Sequence, residues 1–265
     1  MQVSVLGCGW LGLPLAKALT GKGTIVKGST TSPQKLEQLQ ENKIVPYLLT
    51  LKDDGITGNP DDFLNGSGLL IMDFPPKLRG EENITLLHKV RNLIPHIERS
   101  GIEKVLFISS ISVYGNNSGA ITEDTPPNPD TESAKQLLET ELLLQSNPFF
   151  KTTVLRFAGL ISEDRHPVYY LAAKEDIPDP DAPVNLIHRD DCIGIILKIM
   201  ENDIWGETFN AASPHHPSRK EYYTQKAEML GLTPPKFQDK GSNGKIISPD
   251  KVMGLLGYDF VEQTL

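Results

Sequence analysis

Residues 3–19 read VSVLGCGWLGLPLAKAL, and this stretch decides the fold. A short apolar run stops at Gly7, after which Gly9 and Gly12 complete the pattern G-x-G-x-x-G. Apolar residues then recur at helical spacing. The stretch therefore predicts a strand, a tight glycine turn and a helix, which is the usual opening of a dinucleotide-binding domain.

Each glycine has a physical role in this interpretation. Gly7 permits the tight turn, Gly9 lets the backbone approach a pyrophosphate, and Gly12 lets the helix pack against the strand. The unpaired backbone N–H groups of the first helical turn, around Gly9 to Gly12 and including those of Trp10 and Leu11, are then expected to bind the phosphates at the positive end of the helix dipole. The alternative is a glycine-rich turn in another kind of α/β protein.

Composition limits the classes of protein that remain. The chain has 265 residues and a net charge of -8, with a pI near 5.3. The acidic balance and the lack of a basic stripe argue against a nucleic-acid partner. No apolar run reaches the roughly 20 residues of a membrane span, and no signal peptide precedes the first strand. We expect a soluble, cytoplasmic monomer or homodimer that acts on a small molecule.

The two cysteines, Cys8 and Cys192, do not suit a disulfide framework or a zinc site built from paired thiolates. Cys8 lies inside the glycine turn. At this position, packing of a small side chain is a better interpretation of the cysteine than redox chemistry.

Strand and helix patterns alternate as far as about residue 160, which favours a parallel sheet with right-handed crossovers. The predicted fold is α/β, a Rossmann-type doubly wound parallel sheet with a small C-terminal substrate lobe. Residues 1–165 form the predicted NAD(P)-binding domain, and residues 166–265 form the lobe, with part of the chain returning to the core. The predicted strands are 3–6, 24–27, 44–51, 69–74, 104–109 and 152–160.

The end of the second strand bears on the choice of cofactor. NAD-specific proteins usually place an acidic residue there, but this chain has a neutral run that includes Ser29, Thr30 and Thr31. These hydroxyls and Lys35 favour NADP over NAD. Ser32 could equally cap a helix that begins at Pro33.

The fourth predicted strand, 69–74, is continuously apolar except for one acidic residue near its end. Pro75 and Pro76 stop it where a cofactor would pass. Phe74 and Pro75 are therefore predicted to contact the cofactor.

Further motifs follow in order: SSISVYG at 109–115, a helix that carries Lys135, RFAGL at 156–160, NLIHRDDCIGII at 185–196 and KIISPDKVMGLLGYDF at 245–260. With the glycine turn, they resemble the extended branch of the short-chain dehydrogenase/reductases, which includes sugar-nucleotide epimerases and dehydratases. The resemblance covers nearly the whole chain. The nearest group is the atypical, YeeZ-like set of bacterial members.

The resemblance implies a catalytic hydroxyl at Ser110 and a ribose-binding lysine at Lys135, with Ser109 beside the cofactor. The family's tyrosine would lie four residues before the lysine on the same helix face, and the residue at this position is Thr131. An aliphatic hydroxyl cannot exchange a proton as a phenol with a lowered pKa does. The glycine turn is also one residue shorter than is usual in the extended branch. Both departures indicate an atypical member.

Other side chains could replace the missing acid, although packing or surface roles suit each of them as well. The candidates are Tyr114, Tyr169, Tyr170 and His166, of which the histidine could titrate near neutrality. His188 falls where the family returns a segment to the substrate. Asp190 or Asp191 is predicted to cap the following helix. The adjacent pair His215 and His216 lacks a third ligand, so no metal is expected.

Two functions remain open. One is an NAD(P)-dependent oxidoreductase or epimerase-like enzyme for a small carbonyl or sugar-like substrate, since the short lobe argues against a large nucleotide-sugar. The other is a cofactor-binding sensor or regulator without turnover, which Thr131 favours. A 6-phosphogluconate-type reductase would explain the glycine turn but not SSISVYG.

Overall fold

A computed structural model describes residues 1–74, 85–241 and 244–261. Its strands are β1 Gln2–Leu6, β2 Ile25–Thr30, β3 Val45–Leu48, β4 Thr50–Lys52, β5 Gly55–Thr57, β6 Leu69–Met72, β7 Lys104–Ser110, β8 Gly119–Ile121, β9 Lys151–Phe157, β10 Gly159–Ile161, β11 Leu186–His188, β12 Thr208–Ala211 and β13 Lys245–Ile247. Its helices are α1 Gly12–Gly21, α2 Leu36–Glu41, α3 Pro60–Leu64, α4 Leu86–Ser100, α5 Glu132–Gln145, α6 Val168–Leu171, α7 Arg189–Asn202, α8 Arg219–Met229 and α9 Asp250–Leu256.

The central sheet has the order β3-β2-β1-β6-β7-β9-β12, and every neighbouring pair is parallel. The order runs outward in one direction from β1 to β3 and in the other from β6 to β12. It therefore reverses between β1 and β6. Ligands of doubly wound sheets bind at such a reversal, outside the carboxyl ends of the strands. The predicted Rossmann-type fold is confirmed.

Apolar side chains occupy both faces of the inner strands because helices cover both sides of the sheet. All four residues of β6 are buried, from Leu69 at 1% exposure to Met72 at 0%. Helix α1 buries Leu15 and Leu19 against one face of this core. The glycine turn is thus joined to fully buried elements of the core.

Two predicted strands are shorter than expected. The strand predicted at 44–51 ends at Leu48, and its last residues form β4, which pairs with β5 as an antiparallel hairpin where a polar loop was expected. The strand predicted at 152–160 is interrupted at Ala158, whose N–H donates to the carbonyl of Ala211. The chain then leaves the sheet to form β10, which pairs with β11.

The C-terminal part of the chain contributes to two apolar clusters. Helix α7 and strand β12 pack into the main core, and β12 is a seventh sheet strand that its short TFNA sequence did not indicate. A smaller cluster consists of Ile161, Val168, Val184, Leu186, Tyr222, Tyr223 and Ala227. The division into residues 1–165 and 166–265 stays a prediction. Within the described ranges, no helix is long and apolar enough to cross a membrane.

Two predicted helix caps are wrong. Ser32 makes no capping bond, because its hydroxyl bonds to the side chain of Gln34 at 2.8 Å. Helix α7 is capped by His188, whose Nδ1 accepts from the N–H of Asp190 at 3.3 Å. Asp191 is buried in the first turn instead and accepts from the Tyr258 hydroxyl at 2.8 Å.

Candidate cofactor site

The glycine turn between β1 and α1 requires glycine at two of its three positions. Gly7 has φ +102°, and a Cβ there would lie 2.0 Å from the carbonyl oxygen of Asp73. A Cβ on Gly12 would lie 2.1 Å from the carbonyl oxygen of Gly7. A Cβ on Gly9 would meet no protein atom within 4 Å. The first two glycines are therefore needed by the fold itself, whereas the open space at Gly9 suits a ligand.

Hydrogen bonds hold the turn to strand β2 and leave part of its backbone free. The N–H of Gly7 donates to the Ser29 hydroxyl at 3.0 Å, and the N–H of Cys8 donates to the Ser29 carbonyl at 2.7 Å. Within the described residues, the N–H groups of Trp10 and Leu11 have no hydrogen-bond partner. Both groups belong to the stretch from Gly9 to Gly12, whose backbone amides the sequence predicts to bind phosphate.

A cleft of about 740 Å³ opens from this turn. One wall is the end of β2, with Thr30, Thr31 and Lys35, and another is formed by residues 49–54. Lys35 is exposed and forms no ion pair within the part of the chain that the structure describes. Phe74 also lines the cleft, whereas Pro75 lies outside the described residues.

The residue patterns did not indicate the wall at residues 49–54, because they predict the end of a strand there, followed by a polar loop. The wall brings two carboxylates, Asp53 and Asp54, into the cleft alongside Lys52. The neutral character expected for the ribose end thus holds for β2 but not for the whole cleft.

Asp73 lies beneath the glycine turn, directly after β6. Its carboxyl group accepts a hydrogen bond from the N–H of Gly12 and lines the cleft. Burial raises its pKa to about 7, although the bond from Gly12 and the positive charge of Arg165 oppose the rise. In its neutral form, this carboxyl group would not repel an anion at the unpartnered amides of the turn.

The raised pKa predicts a measurable pH dependence of stability. Between about pH 4 and about pH 7, folded Asp73 keeps a proton that the unfolded chain releases, so its contribution to folding falls as the pH rises. Asp73→Asn should remove this loss, by on the order of 1 kcal/mol per pH unit across that window. The measurement is urea unfolding of both proteins at several pH values. The exposed Asp54→Asn is the control, and parallel profiles for wild type and Asp73→Asn would contradict the prediction.

The predicted catalytic residues lie on neighbouring elements. Ser110 ends β7, where its hydroxyl accepts from the N–H of Ser112 at 3.1 Å, and the turn that follows packs against α5. Lys135 is exposed in the first turns of α5. Thr131 is the N-cap of that helix: its hydroxyl accepts from the N–H of Ala134 at 3.2 Å, and its backbone is extended. The expectation that Thr131 shares a helix face with Lys135 is wrong, because the helix begins one residue later.

Behind this region lies a buried polar network. The carboxylate of Glu141 binds the guanidinium of Arg156 at 2.6 Å and accepts a hydrogen bond from the Ser109 hydroxyl. Arg156 also donates to the Tyr114 hydroxyl at 2.8 Å, and Tyr114 donates to Asn210 at 2.8 Å. Ser109 stays a prediction as a cofactor contact, and its hydroxyl is already engaged. Tyr114 is fully buried and supports the packing, as its alternative interpretation held.

The other candidate acids also have structural explanations. His166 accepts from the N–H of Val168 at Nδ1 and donates from Nε2 to the Tyr222 hydroxyl at 2.7 Å. Burial lowers the pKa of His166 to about 4, so the expectation that it titrates near neutrality is wrong. Tyr169 and Tyr170 are exposed, at 50% and 77%.

The remaining histidines and cysteines point to no further chemistry. His215 is exposed, and His216 bonds to the carbonyl of Val184 at 3.0 Å. Among the described residues, no group of three or more histidine, cysteine or acidic side chains could bind a metal ion. Cys8 packs against Gly28, and burial raises the pKa of its thiol to about 12.

Comparisons with known proteins place the chain in a family. No protein-family profile matches it. Protein YeeZ of Escherichia coli K12 is 35% identical over 262 residues, which cover 98% of this chain and 95% of that protein, and the YeeZ of E. coli O157:H7 gives the same figures.

Solved structures share the fold at lower identity. UDP-glucuronic acid 4-epimerase from Bacillus cereus, in complex with NAD, has a TM-score of 0.81 at 19% identity and covers 98% of this chain and 92% of its own. MoeE5 in complex with UDP-glucose and NAD has a TM-score of 0.79 at 19% identity, with coverages of 98% and 93%. A functionally unknown conserved protein from Silicibacter pomeroyi DSS has a TM-score of 0.80 at 21% identity, with coverages of 98% and 93%. The YeeZ relatives, at 35% identity over nearly the whole of both chains, show that this chain belongs to the YeeZ-like group, and the solved structures share its parallel seven-stranded fold.

Proposed function

We propose that this protein binds NADP or NAD in the cleft beside the glycine turn and acts as an NAD(P)-dependent, epimerase-like oxidoreductase. The observation that carries the proposal is the turn itself. It presents the unpartnered N–H groups of Trp10 and Leu11 next to an open position at Gly9 and a cleft of about 740 Å³. Two structural neighbours, MoeE5 and the Bacillus cereus epimerase, were solved in complex with NAD, which supports the same class of ligand.

The cleft residues suit the parts of a dinucleotide. The turn from Gly7 to Gly12 would hold the diphosphate. The end of β2, with Thr31 and Lys35, would hold the ribose that carries the 2′-phosphate in NADP. The absence of an acidic residue at the end of β2 and the exposed ammonium of Lys35 support a preference for NADP over NAD.

A bound nicotinamide supplies hydride transfer, and the chain supplies orientation. Lys135 would bind the nicotinamide ribose, and the hydroxyl of Ser110 would orient the oxygen of the substrate. The substrate that we propose is a small carbonyl or sugar-like molecule, and MoeE5, which shares the fold, was solved with UDP-glucose. Thr131 cannot act as the missing phenol, because its hydroxyl already accepts the capping bond of α5.

The capping role of Thr131 also favours a second function, a dinucleotide-binding sensor or regulator without turnover. Thr131 acts as the N-cap of α5, and this role accounts for a threonine at the position where the family has its tyrosine. The two functions share the cofactor site and differ only in whether hydride is transferred.

The experiment is a titration of the purified protein with NADPH and NADH by calorimetry, followed by absorbance of the reduced nicotinamide across a panel of carbonyl substrates. Saturable binding, tighter for NADPH, with turnover of one substrate supports the enzyme. Lys135→Met should then abolish turnover. Binding without turnover of any substrate supports the sensor, and no binding of either dinucleotide contradicts both functions.

A further inference from the structure

Two arginines lie against the ring of Trp10, the first residue after the second glycine of the turn. The guanidinium carbon of Arg165 is 4.7 Å from the centroid of the indole, and that of Arg189 is 5.1 Å away. The indole N–H donates to Asp164 at 3.3 Å. Two positive charges are thus fixed beside the backbone that is proposed to bind the diphosphate.

The two arginines differ in how far their charges are neutralised. Arg189 forms ion pairs with Asp164 at 3.4 Å and with Glu163 at 3.9 Å. Arg165 is exposed and forms no ion pair within residues 1–74, 85–241 and 244–261. Arg189 therefore belongs to a local charge cluster, whereas the charge of Arg165 remains available to an anion.

The surroundings of Arg165 place its charge at the start of α1. Its positive charge lowers the pKa of the Asp73 carboxyl group, which accepts the hydrogen bond from Gly12. The same guanidinium therefore acts on both Trp10, within the turn, and Asp73, whose carboxyl group is bonded to the first residue of α1.

The backbone of Arg165 is held in place before any ligand binds. Its N–H donates to the carbonyl of Ser162 at 3.1 Å, and its carbonyl accepts from the N–H of Ser162 at 2.8 Å. The next residue, His166, is buried and bonded to Tyr222. A side chain on a fixed backbone loses less conformational entropy when it binds a ligand than one on a mobile loop.

From these observations we infer that Arg165 binds the diphosphate of the dinucleotide, supplementing the backbone amides of the glycine turn. The inference rests on the proposed function. A guanidinium can donate two parallel hydrogen bonds to phosphate oxygens, which an ammonium cannot do. The segment EDRHP at residues 163–167, which follows β10, thereby becomes part of the proposed cofactor site.

The test compares ligands with and without the diphosphate. Arg165→Met keeps an apolar side chain on Trp10 but removes the charge, so affinity for NADPH and for ADP-ribose should fall about 10-fold to 100-fold. Adenosine, measured by ligand-detected NMR, should bind as it does to wild type. Arg165→Lys should recover part of the loss. Arg189→Met is the matched control, because Arg189 also lies against the indole but is already ion-paired, and it should change affinity less.

The outcomes separate this inference from the proposed function. If wild type binds ADP-ribose and Arg165→Met binds it equally well, the inference is overturned and the cofactor site stands. Equal losses for ADP-ribose and adenosine also overturn it, because they indicate a general distortion of the cleft. A wild type that binds no dinucleotide overturns the proposed function, and the inference with it.

Discussion

Gly12→Ala should abolish dinucleotide binding and lower the stability of the fold, whereas Gly9→Ala should weaken binding alone. The methyl group at Gly12 would lie 2.1 Å from the carbonyl oxygen of Gly7, a backbone atom that cannot move without displacing the turn. At Gly9 a methyl group would meet no atom of the described residues within 4 Å, so we expect it to disturb ligand binding and not the fold. We expect Gly9→Ala to lose about 10-fold or more in affinity, the equivalent of one lost hydrogen bond to a charged group.

Thermal unfolding and calorimetric titration with NADPH together distinguish the two variants. Gly21→Ala is a matched control, because a Cβ at that helical position also meets no atom within 4 Å and lies at the far end of α1. It should preserve both stability and binding. Unchanged affinity in Gly9→Ala would show that the diphosphate does not pass this residue.

Glu141→Gln should be among the most destabilising single substitutions in the described core. Glu141 is 1% exposed and binds Arg156, which is 6% exposed, so neutralising the carboxylate leaves a buried guanidinium without its counterion. Removing one partner of such a pair typically costs about 3–5 kcal/mol. That cost corresponds to a drop in melting temperature on the order of 10 °C in a chain of this size.

The control is the exposed pair between Lys22 and Glu201, where Glu201→Gln should change stability little. The double variant Glu141→Leu with Arg156→Met removes both charges, and it should be more stable than Glu141→Gln if the unpaired charge causes the loss. Urea unfolding measures all of these proteins. A Glu141→Gln protein that unfolds like wild type would contradict the account, and if it does not fold, the double variant still provides the comparison.

Much of the fold could be predicted because its signals are local. The glycine turn, the buried run of β6 and the apolar face of α4 each appear within a few residues. The four residues of β12 gave no such signal, because a strand that short is defined by its pairing with β9, more than fifty positions earlier. The hairpin of β4 and β5 was missed for a similar reason.

The site was less predictable because its decisive contacts join distant parts of the chain. His166 looked like a titratable loop residue, and only its burial in the fold, which lowers its pKa, shows why it stays neutral. Thr131 takes the place of a tyrosine that is expected within a helix, although a threonine directly before a helical run is a typical N-cap. The contacts of Arg165 with Trp10 depend on the return of the chain after β10 and could not be read from either segment alone.

The central claim is that the turn around Trp10 binds a dinucleotide, and Trp10 itself can report on it. The chain has two tryptophans. The second, Trp205, lies beside Lys104, where β7 begins, and the glycine turn follows the opposite, carboxyl end of a strand. The measurement is the fluorescence of Trp205→Phe during titration with NADPH. The account predicts saturable quenching of Trp10 emission with energy transfer to the reduced nicotinamide. Calorimetric binding of NADPH without any change in Trp10 emission, or no binding at all, would contradict it.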